Sequence, residues 1–179
     1  MAPLCGLRCG EIAGLRWPDV DLGAGTLTIA NSRARAGSRT VEGEPKSAAG
    51  RRTLPILPAL RVALEAARRR QQRERLALGP DYGAGAYVVS NEAGEPYSPE
   101  VISEYWRRHV RRAGVRPIRL HDARHTAATA LHLQGVPVAV IAAWIGHSDG
   151  SFTLRTYAHS QHEALQAAAA VLGGVVTTA

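Results

Sequence analysis

Leu120-His121-Asp122-Ala123-Arg124-His125-Thr126 opens a stretch, residues 120–133 (LHDARHTAATALHL), from which the rest of the chain can be read. Ala127, Leu131 and Leu133 carry a helical apolar pattern onward, and Gly135 followed by Pro137 stops it. Three-residue spacing puts His121 and Arg124 on one side of this helix, an imidazole beside a guanidinium, which is how a phosphate clamp is built. Downstream, a short helix over residues 138–145 presents His147 at its end. Phe152, Leu154 and Tyr157 follow on a further turn or helix, and residues 163–172 (EALQAAAAVL) make a final alanine-rich helix.

Upstream, residues 7–16 read as a short helix with Leu7, Ile12 and Leu15 inward, ended by Pro18 and the acidic residues around it. Leu27-Thr28-Ile29 alternates as a strand, residues 31–50 are polar and turn-rich, and Thr53-Leu54-Pro55-Ile56 resumes an apolar run. Together these predict a small antiparallel sheet with Lys46 on its connecting hairpin. A long helix from Leu60 to Leu78 follows, and its run of arginines from Arg68 to Arg75 reads as a solvated face moderated by Glu65 and Glu74. A glycine-rich connector, residues 81–96, encloses Tyr87-Val88-Val89, and Ser98 caps a helix starting at Pro99. The fold class is therefore α+β and mainly helical, with its sheet in the N-terminal third. No internal repeat or long linker divides the chain, and 179 residues suffice for one substantial domain.

A formal charge of +7 and a pI near 10.2 point to a polyanionic partner. Of twenty-two basic residues, Lys46 is the only lysine. Arginine stays protonated at any working pH, whereas a lysine can release its proton, so Lys46 is a candidate proton donor. No apolar run of membrane-spanning length occurs and the first residues lack the pattern of a secretion signal, so a soluble, cytoplasmic protein is expected. The arginine- and alanine-rich composition suggests a GC-rich, bacterial source. Cys5 and Cys9, four apart, read as small core residues on one helical face. His121 and His125 have metal-ligand spacing, but no glutamate or cysteine completes a site and flanking arginines oppose a dication, so no metal is expected. No phosphate-binding glycine loop is present, and no cofactor is expected.

Five local frames recur in order: Arg8 in GLRCGE, Lys46 in PKSAAGRRTLP, His121 and Arg124 in HDARHT, His147 in WIGHSD and Tyr157 in RTYAH. In these the chain resembles the tyrosine recombinase or phage integrase family, whose pattern is an arginine in a G-L-R-x-G-E frame, a hairpin lysine, an H-x-x-R box, a G-H pair and a tyrosine. His147 and Tyr157 are ten residues apart, one more than the commonest family spacing. The resemblance implies an integrase-like catalytic domain over residues 1–179, truncated at its N-terminal side, since family members carry a further helical domain before the first arginine.

It also implies site-specific DNA recombination, with integration and excision as forms of it, by metal-independent cleavage and rejoining of strands. Tyr157 would attack phosphorus, giving a 3′-phosphotyrosyl bond, with His121 assisting removal of its proton. Lys46 would protonate the departing 5′-hydroxyl. Arg8 and Arg124 would grip the non-bridging oxygens, His147 would donate a further hydrogen bond, and Glu11 would orient Arg8. The implied partner is double-stranded DNA, bound by a homotetramer on paired sites that is linked through the helix of residues 163–172 and is nucleoid-associated when bound. Two rival readings stay open. A DNA-binding remnant without catalysis predicts salt-sensitive duplex binding and no covalent product. A relaxing enzyme of the type IB topoisomerase kind predicts loss of supercoils without recombinants.

Overall fold

The computed structural model describes residues 1–45 and 47–147. Two short N-terminal helices, α1 (Ala2–Cys5) and α2 (Cys9–Gly14), precede three strands, β1 (Val20–Asp21), β2 (Thr26–Ile29) and β5 (Arg52–Pro55), which form an antiparallel sheet in the order β1-β2-β5. A separate hairpin of β3 (Ser32–Ala36) and β4 (Arg39–Gly43) lies between β2 and β5 in the chain. Four helices follow: α3 (Pro58–Leu78), α4 (Pro99–Arg112), α5 (Leu120–Leu133) and α6 (Val138–Ile145). The structure is mainly helical with a small antiparallel sheet, the predicted fold class. Among the described residues, no helix is long and apolar enough to cross a membrane.

The sheet follows from alternation. Leu27 and Ile29 point into the core, and Leu27 pairs with Leu54 across the β2–β5 ladder and with Val20 across β1–β2. On the opposite face Thr28 and Thr53 join through their hydroxyls at 2.9 Å. Leu60 and Leu64 of α3, Ile102 of α4 and Leu120 and Ala123 of α5 close the core around Leu7, Ile12 and Leu15. Each buried leucine or isoleucine contributes about 1.5–3 kcal/mol through removal from water. Ser98 caps α4 as predicted, its hydroxyl accepting from the Val101 N–H.

Three local expectations are revised. Helix α2 is shorter than residues 7–16, because Leu7 precedes it, Arg8 is extended at ψ 155° and Leu15 leaves the helix at ψ 125°. Cys5 and Cys9 do not share a helical face, since Gly6 at φ 63° turns the chain between α1 and α2. Cys5 is buried, while Cys9 is half-buried with its thiol 3.0 Å from the Pro99 carbonyl. Residues 31–50 hold a regular hairpin as well as turns. Most of β3 and β4 is exposed, so neither strand needs the apolar alternation that marks a half-buried one. Lys46 lies outside the described residues.

Candidate active site

Glu11 sits in the first turn of α2, and its side chain is 2% exposed. A carboxylate so buried must be paired. Arg8, just before the helix, donates its backbone N–H to Glu11 Oε2 at 2.9 Å and its Nη1 to Oε1 at 2.8 Å. Arg52 on β5 donates Nη1 to Oε1 at 3.2 Å and Nη2 to Oε2 at 3.1 Å. Arg124 of α5 brings its Nη1 within 3.9 Å of Oε2. Burial alone would raise the Glu11 carboxyl, but hydrogen bonds and charge from Arg52, with those from Arg8, outweigh it and hold the group below its ordinary value.

The same three arginines cap α6. The last carbonyls of a helix lack intrahelical partners and carry the negative end of its dipole. Trp144 O accepts from Arg52 Nε at 2.7 Å, Ile145 O accepts from Arg124 Nη2, and Gly146 O accepts from Arg8 Nη2 at 3.0 Å. Arg124 also donates to Gly6 O in the turn after α1. Three consecutive carbonyls thus bind three arginines from three separate segments. Gly146 itself is left-handed at φ 65°, and a Cβ there would meet Arg52 Nη1 at 2.6 Å and Ala49 O at 2.9 Å. Both its conformation and this close seating require glycine.

His147 follows this turn. Burial, then the charges of Arg124 and Arg8, push its imidazole down to about 4, so at neutral pH it is uncharged, with one donor and one acceptor nitrogen. His121 is in the first turn of α5 and is exposed; its pKa is lowered by partial burial, then by His125 and Arg124. Its ring meets His125 edge-on at 4.9 Å between centroids. Among the described residues, no group of three or more His, Cys, Asp or Glu is placed to hold a metal ion.

The predicted residues therefore fall into three sets. Arg8, Glu11, Arg124 and His147 come together where α2, α5 and the end of α6 meet. His121 lies at the edge, lining with Cys9, Ser103 and Arg119 a cavity of about 330 Å³. Lys46, Tyr157 and residues 163–172 lie outside the described residues. Despite their spacing, His121 and Arg124 are unlike in exposure, because Arg124 is 1% exposed with its guanidinium turned onto backbone carbonyls. Arg8 is the accessible guanidinium of the group, 40% exposed and lining a cleft of about 530 Å³. Arg33 and Arg35 of β3, with Pro45 and Ser47 on either side of Lys46 in the sequence, complete that cleft's wall.

Arg52 is the residue that sequence reasoning missed. Its signal was present in GRRTLP, where one of two adjacent arginines must point inward if Leu54 does, because alternate residues of a strand share a face.

The site can be compared with known proteins. The sequence pattern of the phage integrase family matches residues 1–164. A tyrosine recombinase XerC-like protein of Caldanaerobacter subterraneus subsp. tengcongensis is 33% identical over 166 residues, covering 86% of this chain and 42% of that protein. An integrase of Saccharopolyspora erythraea is 37% identical over 125 residues, 70% of this chain and 28% of that protein. This chain thus spans less than half the length of these relatives. Among solved structures, the Tn1549 transposon integrase in complex with transposon right end DNA superposes with a TM-score of 0.76 at 22% identity, over 96% of this chain and 56% of that one. The fold is shared, and with the family pattern matched across nearly the whole sequence, the chain belongs to the phage integrase family, the tyrosine recombinases.

Proposed function

We propose that this chain is the strand-cleaving and strand-joining unit of a site-specific DNA recombinase, acting on duplex DNA through a 3′-phosphotyrosyl intermediate. The observation that carries the reading is the convergence of Arg8 and Arg124 on one buried carboxylate and one helix end, beside a neutral His147 and an arginine-lined cleft. Positive charge fixed before the substrate arrives stabilises negative charge that grows on a phosphoryl group in the transition state. Glu11 and the α6 carbonyls hold these guanidiniums without water reorganising around them.

In this mechanism Tyr157 attacks the phosphorus, His121 accepts its proton, and the bond to the 5′ oxygen breaks as Lys46 supplies a proton to the leaving hydroxyl. A lowered pKa keeps His121 unprotonated and able to accept at neutral pH. Arg8 uses one N–H for Glu11 and another for Gly146 O, and a guanidinium carries five, so it can hold these bonds and a phosphate oxygen together. The phosphodiester's energy is kept in the phosphotyrosyl bond, and reversal by a 5′-hydroxyl rejoins the strand without a nucleotide cofactor. Pairing of sites by a tetramer, linked through residues 163–172, completes the reading and places the protein on the bacterial chromosome.

The test is incubation of the chain with nicked suicide duplexes carrying candidate sites, followed by a denaturing gel. A protein–DNA adduct from the wild type that is absent with Tyr157→Phe is the expected result. Salt-sensitive duplex binding with no adduct from either protein overturns the catalytic reading and leaves a DNA-binding remnant.

A further inference from the structure

Arg52 is nearly as buried as the carboxylate it faces, its side chain 7% exposed against 2% for Glu11. All three of its nitrogens are engaged: Nε with Trp144 O at 2.7 Å, Nη1 with Glu11 and with Gly50 O at 3.0 Å, and Nη2 with Glu11. It does not line the cleft that Arg8 lines. An arginine so placed has no outward face for a phosphate, yet it touches both pieces that hold the phosphate-facing groups. One piece is α2, which carries Arg8 and Glu11, and the other is the end of α6, which leads into His147.

We infer that Arg52 is the positioning residue of the site, fixing Glu11 and the end of α6 against each other so that Arg8 and His147 face one point. The inference rests on the recombinase reading above. Without Arg52, α2 and the end of α6 would be joined by the bond from half-exposed Arg8 to Gly146 O and by Arg124, which donates to Ile145 O but comes no closer than 3.9 Å to Glu11. The Arg8 guanidinium must also meet the substrate, and Arg124 lies beyond hydrogen-bond distance of Glu11, so neither fixes the plane of the carboxylate. Arg52 supplies an anchor that the substrate never touches. Its planar fork takes both carboxylate oxygens and leaves Nε for Trp144 O, which sets the plane of Glu11 as well as its place. A lysine carries one point charge and cannot reproduce that pair of directions. The close seating of Arg52 against Gly146 leaves no slack in the joint, since even a methyl group at Gly146 would meet Nη1 at 2.6 Å.

The experiment uses the whole chain, the nicked suicide duplexes, and three readouts: duplex affinity by fluorescence anisotropy, single-turnover adduct rate at saturating protein, and thermal melting. Arg52→Lys keeps a charge beside Glu11 and is expected to fold, to bind duplex within about twofold of wild type, and to form adduct about 10- to 100-fold more slowly, the cost of misplacing reacting groups by a fraction of an ångström. The double variant Arg52→Met with Glu11→Gln removes both charges of the buried pair. It is expected to melt above Arg52→Met alone while staying as slow as Arg52→Lys. Wild-type adduct rates in Arg52→Lys, or in the double variant should Arg52→Lys not fold, overturn the inference. So does a rate loss matched by an equal loss of affinity, which would mark a direct phosphate contact. A wild-type chain that forms no adduct overturns the recombinase reading itself, whereas an active wild type with an equally active Arg52→Lys removes only the role given to Arg52.

Discussion

Two groups of arginines in this molecule behave in opposite ways. Along α3, Arg68, Arg69, Arg70, Arg73 and Arg75 lie close together in sequence and stay mostly at the surface. Arg68 covers the Trp17 ring with its Cζ 5.7 Å from the centroid, Arg75 covers Tyr82 at 5.5 Å, and Arg70 pairs with Glu74 one turn on at 3.0 Å. These are local contacts or lids on aromatic rings. Arg8, Arg52 and Arg124 stand far apart in sequence, yet all reach Glu11 and adjacent carbonyls of α6. A dense run of charge marks a solvated helix face, whereas arginines from three segments that share one buried carboxylate mark the candidate site.

The sharpest way to break that contrast is to remove the carboxylate the site arginines share. Glu11→Gln leaves three guanidiniums around a neutral amide, and breaking a buried pair from one side costs about 3–5 kcal/mol. Chemical denaturation is the measurement, and a loss under about 1 kcal/mol would show that the carbonyls of α6 alone hold the arginines. Next in size is Arg8→Ala. Because Arg8 is accessible and lines the cleft, its removal is expected to slow adduct formation by about 10² to 10³-fold, the range for one transition-state donor, with little change in melting temperature. Large unfolding with proportionate rate loss would instead make Arg8 a structural residue like Arg52.

Much of the fold was legible because its sheet and helices obey simple periods. Leu27 and Ile29 alternate in β2, and Ser98-Pro99 and Gly135-Pro137 mark helix ends where the structure has them. The β3–β4 hairpin was less legible, since a strand pair with little to bury leaves no apolar trace. For the candidate site, motif order picked out Arg8, Arg124 and His147, which the structure brings together, and the three-residue step to Glu11 suggested an ion pair that the structure contains. The inward turn of Arg124 and the partners of Arg52 were not legible, although strand alternation with Leu54 marks Arg52 as the inward one of its pair. Both depend on which carbonyls the chain brings near after folding, Ile145 and Trp144 lying 21 and 92 residues from their donors. Sequence spacing carries no information about contacts at that range.

A smaller effect separates the charged site from its neutral histidine. His147 titrates near 4 in the folded protein against an ordinary value of 6.5. Below 6.5 the unfolded chain therefore takes up a proton that the folded chain refuses, so the stability this group contributes is whole above that pH and is lost as pH falls toward 4. Glu11, also lowered, acts in the same direction but only below the ordinary carboxylate value of 4.5. Stability of the wild type is expected to decline between pH 6.5 and 4.5, and His147→Gln to flatten that part of the curve. An unchanged slope would move the titration to another group, with His121 next in line because its pKa is lowered too.

The smallest effect expected belongs to the other side of the comparison. Replacing Arg69 and Arg73 by alanine removes two exposed charges of α3 and should change stability by no more than about 0.5 kcal/mol per substitution. The more telling quantity is the salt dependence of duplex binding. Each arginine that neutralises a phosphate adds about 0.9 to the slope of log affinity against log salt, because it releases a condensed counterion. A solvated face adds nothing, so the double variant should bind duplex with the wild-type slope. A slope shallower by about 2 would put α3 on the DNA backbone. The arginine run would then join the site arginines in meeting phosphate while differing from them in being free of buried partners.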